Sequence, residues 1–366
     1  MMNTATDTTG PIGATPVDLR SDTVTRPTAA MYERMATAPL GDDGLDGDPT
    51  ARELESTTAA LLGKEAALYV PSATMANLLA ILAQAGRQEL VLAEAASHIY
   101  VTERGAGALT GTFYEGIAGV EGAMDLERLG DALAPGRYKL RTGVVCMESS
   151  HNNAGGAVLP LSHMRAVFEA SKRMGAGVHL DGARLLNAAV ALGVPAADIT
   201  AFADTVSLCL SKGLSAPMGA VLAGSAATIE RARSLRKMLG GSQRQVGIVA
   251  AAGLVAVESM VARLADDHAA ARRLAQGIGR VPGLATNAPQ TNIVQVDVSA
   301  TGIDAAQWER ELKGRGVLVR PWGRQRLRCV THRHVGEREV ELALAAFAAV
   351  AANPARGMQD PPGAAA

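Results

Sequence analysis

The sequence predicts an α/β protein, with a large domain built on a mostly parallel sheet and a small C-terminal α+β domain. Three observations carry this. Short apolar runs ending in polar residues recur: AALYV, LVLAEAASH, TGVVCME, GVHLD and TVSLCLS. Helical stretches lie between them, as a parallel sheet covered on both faces requires. From about Leu264 the pattern changes to a βαββα-like order.

The elements follow in order. Thr50 to Leu62 reads as a helix, with Thr50 as N-cap, Glu53 three residues on, and Leu54, Leu61 and Leu62 toward the core. AALYV is then a buried strand ending at a Pro-Ser turn, followed by a helix from Thr74 to Gln84 and the strand LVLAEAASH. TGVVCME, a helix from Ser162 to Met174, GVHLD and TVSLCLS continue the alternation. After a long helix to Gly279 come TNIVQVDV, a helix around Gln307 to Lys313, GVLVRP, RLRCVTH and a last helix. The domains expected are 18–265 and 266–353, between flexible ends at 1–17 and 354–366.

Composition narrows the function classes. With 48% hydrophobic and 19% charged residues the chain is not globally disordered. Its 35 basic and 36 acidic residues give no support to binding of nucleic acid or of a membrane surface. The apolar runs Val246–Val257 and Leu342–Ala352 are too short to span a bilayer and read as buried helices. The N-terminus has no basic stretch followed by an apolar one, and Cys146, Cys209 and Cys329 are widely spaced. A reduced, cytoplasmic protein is expected.

In doubly wound sheets, ligands sit at the carboxyl ends of the strands. Asp181 closes GVHLD, Ser211 and Lys212 close TVSLCLS, Glu148 closes TGVVCME, and His98 follows LVLAEAAS. Ser72, Ala73 and Thr74 lie between a strand and a helix, where backbone N–H groups hold phosphates. A lysine to form a Schiff base, a carboxylate for a pyridine nitrogen and a phosphate turn are the parts a pyridoxal phosphate enzyme needs. Metal is not expected. Asp42 to Glu53 can be laid on a calcium loop, but Gly44 and Pro49 fall where ligand and strand should be, and no His/Cys cluster has zinc spacing.

The chain also resembles the L-threonine aldolases of the low-specificity type, pyridoxal phosphate enzymes of the aspartate-aminotransferase fold. DLRSDTVTRPT, GDD, PSATMAN, SHIY, HLDGARLLNA, CLSKGLSAPMG, RKMLGG, RQ and VTH carry the resemblance, in the same order, over roughly residues 18 to 352. It implies a seven-stranded sheet and cleavage of a β-hydroxy-α-amino acid to glycine and an aldehyde. It further implies that Lys212 holds the cofactor, Asp181 its ring nitrogen, and Ser72, Ala73 and Thr74 its phosphate. His98 would stack on the ring, His151 would be a second active-site histidine, and Ser21, Arg184 and Arg328 would take the substrate carboxylate. Lys237 and Arg244 would reach in from a neighbouring subunit of a homotetramer built as a dimer of dimers. The proton acceptor at the β-hydroxyl is left open among His98, His151 and water. The chain departs from the family at Ala73, where glycine is usual, and at Leu45, where tyrosine is usual; the second places substrate preference in question. Another lyase reaction on this scaffold, such as β-elimination, is the alternative, and a non-catalytic binding module is a second. The scarcity of aromatic residues, 3% of the chain, is expected to extend into the pocket.

Overall fold

The computed structural model describes residues 16–352. The flexible ends expected at 1–17 and 354–366 lie outside that range, except for residues 16 and 17, where Val17 starts a short strand. Seven strands form the large sheet: β1 (Ala66–Val70), β2 (Leu90–Glu94), β3 (Phe113–Ile117), β4 (Thr142–Glu148), β5 (Gly177–Gly182), β6 (Thr205–Cys209) and β7 (Ala220–Gly224). Their order is β1-β7-β6-β5-β4-β2-β3. The strands from β6 to β3 in that order are mutually parallel, whereas β7 is antiparallel to both β1 and β6.

Five of these strands are the apolar runs of the sequence. β2, β4, β6 and β7 are buried along their whole length, as a sheet covered on both faces demands. The other two carry weak sequence signals. β3 is an edge strand, FYEGI, with partly exposed residues, and β7 is the Ala- and Gly-rich AVLAG.

Helix α1 (Pro49–Leu61) starts earlier than Thr50 suggests. Asp48 is its N-cap, accepting from the Ala51 N–H at 2.9 Å, and Pro49 takes the first helical position, where its missing N–H costs nothing. Thr50 instead donates its hydroxyl to the Pro39 carbonyl, and Glu53 pairs with Arg34 at 2.9 Å. Helices α2 (Ala73–Gln84) and α3 (Gly247–Ser259) follow. Gly253 lets α3 lie close, since a Cβ there would meet Leu54 at 2.8 Å and Leu210 at 3.0 Å.

A second core belongs to a four-stranded antiparallel sheet: β8 (Ala285–Thr286), β9 (Ile293–Asp297), β10 (Arg320–Pro321) and β11 (Arg326–Val330), in the order β8-β9-β11-β10. Helices α4 (Leu264–Ile278), α5 (Ala305–Lys313) and α6 (Glu337–Ala352) pack on it, with Trp308 stacked on Phe347 at 5.8 Å. Val17 and Leu19 are buried in this second core. Val17 pairs with Val317, and the Val330 N–H donates to the Leu19 carbonyl at 2.8 Å. The boundary at residue 18 therefore divides a strand that packs with the C-terminal unit. Immediately beyond it, the chain passes between the two units and delivers Ser21 and Asp22 to their junction.

The three cysteines are buried and free. Among the described residues, no single helix is long and apolar enough to cross a membrane.

Candidate active site

A cavity of about 460 Å³ opens at the carboxyl ends of β4, β5 and β6, where the second unit closes over the sheet. The large domain lines it with Ala73, Thr74, His98, Asp181, Arg184 and Lys212; Ser21 comes from the connecting segment and Arg328 from β11. With Glu148, which also lines it, nine of the residues singled out in the sequence meet in one place.

The floor is set by Asp181. Its Oδ1 accepts from the Ala183 N–H at 3.0 Å and its Oδ2 from the Asn77 side chain at 3.0 Å. Asn77, buried on α2, also donates to Glu103 at 3.3 Å. Behind it the hydrogen-bond directions are determined throughout. Carboxylates only accept, so the Asn77 NH₂ faces them and its Oδ1 faces His179, which must donate from Nε2 (3.0 Å). His179 Nδ1 then accepts from the Thr205 hydroxyl at 2.9 Å, and Thr205 accepts from Gln84 at 2.7 Å. Burial pushes the His179 pKa down to about 4, so the ring is neutral.

His98 follows β2 and opens a π-helical turn, Ile99–Glu103. Its Nδ1 lies 2.8 Å from Glu103, and its backbone N–H donates to Glu148 at 2.6 Å. The Glu103 hydrogen bond raises the His98 pKa against the opposing effect of burial, with the charges of Asp181 and Glu148 adding to it.

The opposite wall is cationic. Arg184 makes a bidentate pair with Asp22, both contacts at 2.7 Å and both side chains buried. Asn292 donates to the same carboxylate at 3.1 Å. Burial alone would raise the Asp22 carboxyl; Arg184, with Lys212 and Arg328, reverses this and holds it well below the usual range. Asn152 Oδ1 then bridges Arg184 Nη1 (3.2 Å) and Arg328 Nη2 (2.9 Å). Arg328 Nε is buried with no partner. Burial first, then the neighbouring Arg184, pushes its pKa down to about 10. A guanidinium that lines the cavity without a carboxylate partner, beside one already neutralised, can take one carboxylate.

The remaining sequence candidates lie elsewhere. Ser72 caps α2, accepting from the Met75 N–H at 3.2 Å, behind Ala73 and Thr74. Ala73 is the first residue of α2 and is not among the residues with positive φ, so alanine carries no backbone strain there. His151 is fully buried behind the cavity wall: Nε2 contacts Glu94 at 2.9 Å and Nδ1 accepts from the Ala154 N–H at 3.1 Å. Lys237 and Arg244 stand outside the cavity of this chain, Arg244 being 3.6 Å from Asp42. Leu45 is 79% exposed on the loop beside Arg244 and does not line the cavity. Nor is the pocket without aromatics, because Trp322 forms part of its wall.

Comparison with known proteins shows the family. The family model described as beta-eliminating lyase matches residues 18–301. Low-specificity L-threonine aldolase 1 of Arabidopsis thaliana is 40% identical, over 90% of this chain and 95% of its own. The low specificity L-threonine aldolase of Escherichia coli K12 is 38% identical over 88% and 96%. The chain belongs to the threonine aldolase family. Among solved structures, a Leishmania major threonine aldolase shares the fold with a TM-score of 0.78, at 18% identity, over 92% of this chain and all of its own.

Within this threonine aldolase-family chain, four working residues escaped sequence reading. Asp22 and Asn77 sit inside quoted motifs, DLRSDTVTRPT and PSATMAN, yet their partners are 162 and 104 positions away. Glu103 and Asn152 had a weaker signal: each follows a polar residue at a strand end, His98 and Glu148 respectively. Glu148, marked in the sequence at the end of β4, accepts from both the His98 and Asn152 backbone N–H groups.

Proposed function

We propose that the protein cleaves L-threonine, L-allo-threonine or a related β-hydroxy-α-amino acid to glycine and an aldehyde, reversibly, with pyridoxal 5'-phosphate. The observation that carries this reading is the meeting of Lys212, Asp181, Arg184 and Arg328 in one cavity.

The donor set fits the cofactor. Lys212 supplies an amine that makes no hydrogen bond through Nζ among the described residues, Asp181 a buried acceptor for a protonated ring nitrogen, and the N-terminus of α2 a seat for the phosphate at Ser72, Ala73 and Thr74. When bound, pyridoxal phosphate supplies an electron sink for the pair left on Cα as the Cα–Cβ bond breaks.

The chain's own residues do the rest. Asn77 holds Asp181 in place. Arg328, Arg184 and Ser21 take the substrate carboxylate and so set which Cα bond is aligned for cleavage. His98 covers the ring and offers Nε2 toward the cavity for the β-hydroxyl proton, Nδ1 being engaged by Glu103. His151, with both ring nitrogens occupied, supports the segment that carries Asn152.

We also assign Lys237 and Arg244 to the cofactor site of a neighbouring copy, in a homotetramer assembled as a dimer of dimers, and a cytoplasmic location. Their position outside this chain's cavity supports a shared site, which loss of activity on dilution to monomer would check. Pure protein supplied with pyridoxal phosphate should release glycine and acetaldehyde from L-threonine or L-allo-threonine. No glycine from either, or from phenylserine, contradicts the reading.

A further inference from the structure

β10 and β11 place two arginines side by side. Arg320 is directly opposite Arg328 in the antiparallel register, and Pro321 opposite Leu327. Trp322 continues β10, its N–H donating to the Arg326 carbonyl at 2.8 Å. Arg320 and Trp322 both line the cavity. The indole is shared between the two cations, with the Arg328 guanidinium carbon 4.9 Å and that of Arg320 5.1 Å from the ring centroid. This chain has two tryptophans; one fills the second core, and the other stands here.

Like charges directly opposite on neighbouring strands repel. The other cationic partners are accounted for. Arg184 is neutralised by Asp22, and Arg328 is assigned above to the substrate's α-carboxylate. Arg320 has no carboxylate within ion-pair distance among the described residues. Its guanidinium instead lies over the face of Trp322, which holds this exposed side chain beside Arg328 at the cavity wall. One carboxylate therefore leaves this wall with a cation to spare, and neighbouring strands are only about 4.8 Å apart.

We propose that Arg320, braced by Trp322, binds a second anionic group carried on the substrate's β-carbon. The preferred substrates are then β-hydroxy-α-amino acids with a side-chain carboxylate, of which 3-hydroxyaspartate is the smallest. Its two carboxylates sit on adjacent carbons, a spacing that suits two guanidinium groups on adjacent strands. Cleavage gives glycine and glyoxylate: the Cα–Cβ bond breaks, the β-hydroxyl loses its proton to become the aldehyde oxygen, and Cα gains a proton. This inference rests on the aldolase reading and specifies the group that its substrate carries.

The test is the ratio of kcat/KM for 3-hydroxyaspartate to that for L-threonine, measured on the holoenzyme. In the wild-type enzyme the ratio should exceed one and should fall as salt is raised, because an exposed arginine is screened. Arg320→Gln should lower it at least tenfold, and Arg320→Lys should restore a large part of it. A wild-type ratio below one, a ratio indifferent to salt, or a ratio that Arg320→Gln leaves within twofold would each overturn the proposal. Equal losses on both substrates count among these, since they would make Arg320 an anchor for the α-carboxylate. Absence of glycine from L-threonine, L-allo-threonine and phenylserine alike would instead sink the aldolase reading itself.

Discussion

Arg184 and Asp22, 162 positions apart, form a buried bidentate ion pair at the junction of the two cores. The pair ties the segment after the N-terminal strand to the loop following β5, and it leaves Arg328 as the cation with a vacant N–H. Breaking a buried pair on one side leaves an uncompensated charge, which costs about 3–5 kcal/mol. Asp22→Ala should therefore lower the unfolding free energy by roughly that amount. Chemical denaturation of wild type and variant checks it; an unshifted midpoint would show that the pair carries no such load.

In the proposed reaction, Glu103 acts through His98. It accepts from the ring at Nδ1 and raises the His98 pKa, with Asp181 and Glu148 facing the same histidine. Glu103→Gln removes the charge, so the His98 pKa should fall and the acid limb of kcat/KM should move to lower pH. Histidine NMR titration reads the same shift without turnover. A role confined to holding the π-helical turn would lower activity with the pH profile unmoved.

His179 gives the fold a pH dependence of known sign. Its folded-state pKa, about 4, lies below the unfolded value near 6.5, and His268 behaves likewise. Below pH 6.5 the unfolded chain takes up protons that the folded chain refuses, so stability is full above 6.5 and is lost as the pH falls toward 4. His98 and His151 are shifted upward and titrate above this window. The loss between pH 7 and 5 should be on the order of 1–3 kcal/mol, and His179→Gln should flatten it. Denaturation midpoints that do not change over that range would contradict the buried neutral ring.

Much of this was legible in the sequence, for a physical reason. Buried parallel strands need continuous apolar runs, and ligands gather where those runs end, so Asp181 and Lys212 stand out. β7 was hidden because alanine and glycine give little strand signal, and its antiparallel direction leaves no mark in a single strand. Asp22, Asn77, Glu103 and Asn152 were obscure because each works by holding a residue remote in the chain or carried on another element. Arg320 opens a two-residue strand, and Trp322 directly follows it; their place is set by register with β11, so no periodicity points to the cavity. The cap of α1 was misplaced by two residues because Pro49 favours the first helical position over Thr50.

Ala73 tests the phosphate turn. Because it begins α2 with ordinary dihedrals, restoring glycine relieves no strain and adds backbone freedom to the unfolded chain. Ala73→Gly should bind pyridoxal phosphate within about threefold of wild type and lose up to about 1 kcal/mol of stability. Cofactor titration by absorbance and a melting curve measure the two. A large gain in affinity would mean that the alanine methyl obstructs the phosphate.

The proposed chemistry depends above all on Lys212, placed after β6 on the cavity wall with Asp181, Arg184 and Arg328. Glycine released from L-threonine, in the presence of pyridoxal phosphate, should be abolished by Lys212→Ala while the variant keeps the wild-type fold by circular dichroism. Undiminished glycine release from a folded Lys212→Ala protein would contradict it.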